Sequence, residues 1–198
     1  MKNGGYDFAA DPKLPAPKAF ALWDPRLDPS VVVLQKVPEV LDNVASPTIV
    51  PTGTTRRAQD GLHHLLDAGE QRRLQILQSD SDTNAMAAIV PLDQDGFARL
   101  DALYRLLAQL HGRKVPAAKR LTRQKRLRAK RMLQAHDARM AGASQREIAE
   151  VLFRLSQVSR DEWQSAPERF AVMALLRDAR KMVDCGYRAL LRSRSVHR

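Results

Sequence analysis

The sequence predicts an α+β protein: a small N-terminal α+β module followed by an all-helical, helix-turn-helix-like domain. Three observations point there. Short β-branched or alternating runs, bounded by proline and glycine, occupy residues 31 to 92. From residue 97 onward apolar residues recur at helical spacing instead. Charge also divides: residues 1 to 112 hold eleven basic and fourteen acidic side chains, whereas 113 to 198 hold twenty-two basic and eight acidic. Such asymmetry implies modules with different partners. The predicted division is a proline-rich arm at 1–30, an α+β regulatory or assembly module at 31–112 and a basic helical domain at 113–198.

The arm carries Pro12, Pro15, Pro17, Pro25 and Pro29, which remove backbone donors and favour extended chain. Phe20 and Trp23 are expected to tack part of it onto a core. Val31 to Leu34 reads as a strand ending before Pro38, and Ser46 to Pro51 as another short one. Gly61 to Gln78 reads as a hairpin, with Leu62 to Leu66 and Arg73 to Leu77 as its arms and a turn around Ala68-Gly69-Glu70. His63 and His64 are neighbours in the first arm, so they point to opposite faces and are poorly placed to share one metal. Ala85 to Leu92 gives one more strand, closed by Pro91. A helix follows, with Phe97, Leu100, Leu103, Tyr104, Leu107 and Leu110 as its apolar stripe and Gly112 as its stop.

The remainder reads as helices. Thr122 caps the first, which runs to about Met140 with Ala129, Met132, Leu133, His136 and Met140 on the apolar side. His136 on that side reads as a packed histidine. Ala141-Gly142-Ala143 stops the helix. Ser144 caps the next, with Glu147 completing a capping box and Ile148, Ala149 and Leu152 buried. Residues 154 to 166 form a longer connection carrying Trp163, so the turn is either atypical or includes an extra helical turn near Arg160 to Trp163. A third helix from about Pro167 to Asp184 buries Val172, Leu175, Leu176, Ala179 and Val183. Past Gly186, Tyr187 and Leu190-Leu191 are expected to pack back on the bundle.

Ten of the nineteen residues from Arg113 to Arg131 are Lys or Arg, and none is acidic. A solvated helix face usually mixes signs. A polyanion surface does not, because each phosphate neutralised releases condensed counterions. Lys119, Arg120, Arg123, Lys125, Arg126 and Arg128 are therefore candidate phosphate contacts. Gln145 and Arg146 join them at a helix N-terminus, where free amides and the dipole favour anions.

Enzymatic chemistry finds little support. The sequence has no phosphate-cradling glycine loop, no metal-ligand cluster and no Gly-x-Ser-x-Gly, so no catalytic residue, metal or cofactor is assigned. Cys185 is the single cysteine and reads as a structural thiol. No run approaches the roughly 18 apolar residues of a membrane span. The expected setting is cytoplasmic, at the nucleoid.

The segments Val90-Pro91-Leu92-Asp93, Leu121-Thr122-Arg123, Ala141 to Phe153 and Gly186-Tyr187-Arg188-Ala189-Leu190-Leu191 resemble the RovC-type bacterial transcription-regulator family, long catalogued as a domain of unknown function. The resemblance runs from about Val90 to Leu191 and is looser through Trp23 to Gln78. It implies a DNA-binding transcription activator of a kind that includes regulators carried on integrative and conjugative elements. Many members have Gly after the Leu-Phe pair, where this chain has Arg154.

Independently of that resemblance, Phe170, Ala174, Arg177 and Lys181 fall opposite the buried stripe of the third helix. Arg can bond guanine bidentately, and Ala or Phe can meet a thymine methyl, so these four are candidate base-reading residues. The same face also suits a protein contact. The expected partner is double-stranded DNA, with a homo-oligomer and a regulatory protein or RNA polymerase as protein contacts. Two rivals stay open. One is an RNA-binding or ribosome-associated protein, disfavoured by the lack of aromatics between Arg113 and Arg139. The other is a non-catalytic assembly factor docking an acidic partner.

Overall fold

The computed structural model describes residues 21–41, 54–66, 73–79, 86–116, 121–156 and 159–192. The chain forms two compact units, 1–120 with 191–198, and 121–190. Phe20, the 46–51 segment and the Ala68-Gly69-Glu70 turn lie outside the described residues.

The first unit is a five-stranded sheet carrying one helix. Its strands are β1 (Val31–Lys36), β2 (Thr55–Ala58), β3 (Gly61–Leu66), β4 (Leu74–Gln78) and β5 (Met86–Ile89), in the order β2-β3-β4-β1-β5. β1 pairs parallel with β4, and the other neighbours are antiparallel. The hairpin expected at 61–78 is present as β3 and β4, with Leu62 opposite Gln78 and Leu66 opposite Leu74. β2 was not expected. Its Thr-Arg-Arg-Ala sequence offers no apolar alternation, and it is added at an edge through a two-residue turn, Ala58 pairing with Gly61. Gly61 has a φ of +135°, and a side chain there would collide with the Gln78 carbonyl. Only glycine suits that position.

Helix α1 (Gly96–Leu110) covers one face of this sheet. The core between them joins Ala102 and Leu106 to Val32, Leu34, Leu66, Leu74 and Ile76. The expected stripe is corrected in part: Leu103 and Leu110 do pack against this core. Phe97, Leu100, Tyr104 and Leu107 are exposed, while Ala98, Ala102, Arg105, Leu106 and Ala108 are buried. Small alanines let the helix backbone approach the sheet on either side of the fully buried Leu106. Arg105 lies on the buried side because its guanidinium has partners: Nε donates to the Pro116 carbonyl at 3.1 Å and Nη2 to the Arg73 carbonyl at 3.4 Å. A buried charge is tolerable when hydrogen-bonded in this way.

Trp23 does hold the arm to the sheet, through its backbone. Its N–H donates to Gln75 Oε1 and its carbonyl accepts from Gln75 Nε2, both at 2.8 Å. The adjacent histidines take separate partners. His63 Nε2 lies 3.0 Å from Asp60 Oδ1, and His64 lies between Thr55 Oγ1 at 3.0 Å and Gln78 Oε1 at 3.3 Å. Burial holds His64 below its ordinary pKa, opposed by the Gln78 hydrogen bond.

The second unit contains α2 (Arg123–Met140), α3 (Gln145–Phe153), α4 (Arg160–Ser165), α5 (Pro167–Lys181) and most of α6 (Arg188–Leu191). Its core is Met132, Ala135, Ile148, Ala149, Val172, Leu175, Leu176 and Ala179, with Trp163 packed against it. Both α3 and α4 begin with complete capping boxes, Ser144 with Glu147 and Ser159 with Glu162. The α2 stripe is likewise corrected in part. Ala129 and Met132 face the core as expected and Ala135 joins them, whereas Leu133 and Met140 are exposed and His136 is only half-buried.

Helix α5 ends one turn earlier than the sequence implied. A π-type turn over Met182–Gly186 follows it, with Cys185 at a φ of +86°. The turn shifts the helical phase, so Met182 packs on the core and Val183 is exposed. Leu191 is buried, and it belongs with the first unit rather than the bundle.

Candidate nucleic-acid interface

Helix α2 starts where Thr122, extended at φ −64° and ψ 157°, accepts a hydrogen bond from the Lys125 amide at 3.3 Å. Arg123, Lys125, Arg126, Arg128, Lys130 and Arg131 follow, all exposed. No acidic residue lies in the first turn, and Asp137 is the first in the helix. The macrodipole places partial positive charge at that end, so cations there oppose helix formation. Local preference is sacrificed on the exposed side, while the buried side is satisfied by alanine and methionine. Lys119 and Arg120 lie outside the described residues.

The outer side of α5 presents Phe170, Met173, Arg177, Arg180 and Lys181, all exposed, with Ala174 half-buried between them. Pro167 occupies the first helical turn, where its missing N–H costs nothing. Val172, Leu175, Leu176 and Ala179 turn inward. Phe170, Arg177 and Lys181 thus share one exposed side of one helix.

One carboxylate links the two helices. Asp178 Oδ2 accepts from Arg128 Nη2 at 2.6 Å, and its Oδ1 accepts from Arg177 Nε at 3.2 Å. The Arg128 hydrogen bond, then that of Arg177, holds the Asp178 carboxyl below the usual carboxylate range. The pairing spans fifty positions between Arg128 and Asp178. No periodicity in the sequence announces it.

The N-terminus of α3 is organised differently. Ser144 N–H donates to Glu147 Oε2 at 2.7 Å, and the Glu147 amide donates to Ser144 Oγ at 3.3 Å. These bonds hold the Glu147 carboxyl below its usual range. A carboxylate of the chain itself therefore lies at the helix start. Gln145 is half-buried there, and Arg146 is exposed with its Nε 3.6 Å from Glu150 Oε1. At the other end of α3, Arg154 adopts φ 55° and ψ 43°, in the left-handed region.

Among the described residues, no group of His, Cys, Asp and Glu is arranged to hold a metal ion. Likewise no described helix is long and apolar enough to cross a membrane. A model of the RovC DNA-binding domain family, described as a T6SS transcription factor DNA-binding domain, matches residues 89–192, just over half of the chain. No curated protein and no solved structure matches it.

Proposed function

The chain belongs to the RovC-type family of DNA-binding transcription factors, and from that premise we propose an activator that binds duplex DNA through its helical unit. In this reading α2 follows the phosphate backbone with Arg123, Lys125, Arg126 and Arg128, extended by Lys119 and Arg120. Arg146 adds a contact at the start of α3 beside Gln145. Helix α5 enters the major groove with Phe170, Ala174, Arg177 and Lys181 toward the base edges. The unit then acts as a helix-turn-helix variant in which α4 lengthens the usual short turn. The sheet unit serves regulation or assembly, and the working form is a homo-oligomer that contacts RNA polymerase or a regulatory protein at the nucleoid.

The observation that carries this reading is the exposed, single-sign first half of α2. Cations against the helix dipole weaken the fold locally, and phosphate neutralisation is the interaction that offsets this. The test is titration of duplex DNA at several salt concentrations. Replacing Arg123, Lys125 and Arg126 with Ala should weaken binding to all duplexes alike, and log affinity against log salt should flatten by about one unit per lost contact. Unchanged affinity and slope in a folded variant would return α2 to a solvated face. Single-stranded RNA outcompeting duplex DNA would favour the RNA-binding alternative. Binding to an acidic protein that no duplex displaces would favour an assembly factor. A promoter-reporter fusion checks activation, and solution mass checks the oligomer.

A further inference from the structure

Asp178 shares its carboxylate between a guanidinium on α2 and one on α5, and the consequences differ for the two. Residues adjacent in a helix do not normally face one another. Arg177 meets Asp178 only because its long side chain turns sideways, so that Nε–H lies on Oδ1. This fixes the inner end of the guanidinium and leaves its two outer nitrogens, Nη1 and Nη2, as a fork. The Arg177 side chain is 67% exposed although Nε is held. Arg128 gives one Nη2 hydrogen bond to the other oxygen and is 57% exposed. Asp178 itself is 26% exposed, set between the two helices.

We infer that Asp178 is the positioning residue of the DNA interface, holding Arg177 as a pre-formed two-pronged donor for a guanine edge while restraining Arg128 from random phosphate contact. This rests on the DNA-binding reading above and assigns a role within it. A free arginine loses much rotamer freedom when it makes a bidentate contact. One already anchored at Nε loses less, and the gain goes to the contact requiring that geometry. A negative charge next to two arginines also lowers attraction for every phosphate, whatever the sequence. Both effects act in one direction: Asp178 trades total affinity for discrimination. A carboxylate is ionised at neutral pH, and the hydrogen bonds from Arg128 and Arg177 lower its pKa further.

The test uses the full chain, a duplex enriched from a random library on the wild-type protein, and the same duplex scrambled. Asp178→Asn removes the charge and nearly preserves the shape. It should tighten binding to the scrambled duplex severalfold, and the preferred-to-scrambled affinity ratio should fall about five- to tenfold. Asp178→Glu, which keeps the charge, should restore part of the ratio. In an Arg177→Ala background Asp178→Asn should change the ratio far less, because only the restraint on Arg128 remains to be lost. A merely structural Asp178 would instead lower melting temperature and both affinities together, with the ratio intact. Equal tightening on both duplexes would reduce it to a general repulsive charge. Either result overturns the inference while the DNA-binding reading stands. Failure of the wild-type chain to enrich any duplex would overturn both.

Discussion

Arg154 gives the sharpest test of the local argument, because one backbone angle decides the result. It closes α3 at φ 55° and ψ 43°, and its amide donates to the Glu150 carbonyl. An L-residue in that region carries a steric cost of about 1–2 kcal/mol, from its Cβ against the following carbonyl. Glycine escapes the cost but has a freer unfolded chain, which returns about 0.5–1 kcal/mol. The midpoints of these ranges leave Arg154→Gly a gain of about 0.75 kcal/mol. For a unit spanning 121–190, this raises the melting temperature of the helical transition by about 2–8 °C. Either variant also loses a cation, which the net charge of the unit disfavours and the C-terminal end of the helix dipole favours, so Arg154→Ala is the control: it loses the charge and keeps the Cβ. Thermal melts of the three proteins by circular dichroism separate the contributions. If Arg154→Gly melts no higher than Arg154→Ala, the left-handed strain at this position is not real.

Other outcomes follow from burial, caps and charge. Leu106→Ala should cost about 2–5 kcal/mol in denaturant melts and Leu107→Ala under about 0.5, because Leu106 is 1% exposed and its neighbour 45%. Ser144→Ala should cost about 1 kcal/mol at neutral pH. Its partner Glu147 has a depressed folded pKa, so the carboxylate half of the cap contributes fully above the ordinary value of 4.5 and fades as pH falls through the lower folded value; the difference between Glu147→Ala and wild type should therefore shrink in melts at acid pH. Lys125→Glu should stabilise the helical unit by about 0.3–1 kcal/mol and weaken duplex binding, read by melting and by titration.

What the sequence disclosed was governed by how local each signal is. The 61–78 hairpin was legible because two apolar runs, Leu62 to Leu66 and Leu74 to Leu77, lie either side of a short polar stretch containing Gly69. The Ser144 box was legible because Ser and Glu three apart determine their own geometry. By the same rule the Ser159–Glu162 box was there to be read, and it begins the helix that was expected only as an extra turn. The faces of α1 and α2 were read only in part, for a common reason. Counting large apolar residues finds the leucines, but a closely crossing helix contacts partly through small residues, so Ala98, Ala102 and Ala135 mark buried positions that were passed over. The burial of Arg105 was invisible, since its carbonyl partners at Arg73 and Pro116 come from separate segments. The Asp178 bridge was invisible too, because it exists only once α2 and α5 have packed.

The three capped helices of the second unit bear most directly on function. Ser144 and Ser159 are each followed three residues later by Glu, and both boxes close. Thr122 begins α2 with the same extended geometry and receives the same amide bond, but the third position is Lys125. A carboxylate there would reach back to the Thr122 amide, as the other two helices do, and would suit the dipole. The chain uses that chemistry twice and departs from it where the basic stretch begins. A face selected only for solubility would gain from Glu at this position and lose nothing. Stability and duplex affinity moving in opposite directions in Lys125→Glu is therefore the signature of a surface kept positive for a polyanion. A gain in stability with undiminished DNA affinity would leave the cation at 125 without a function in binding.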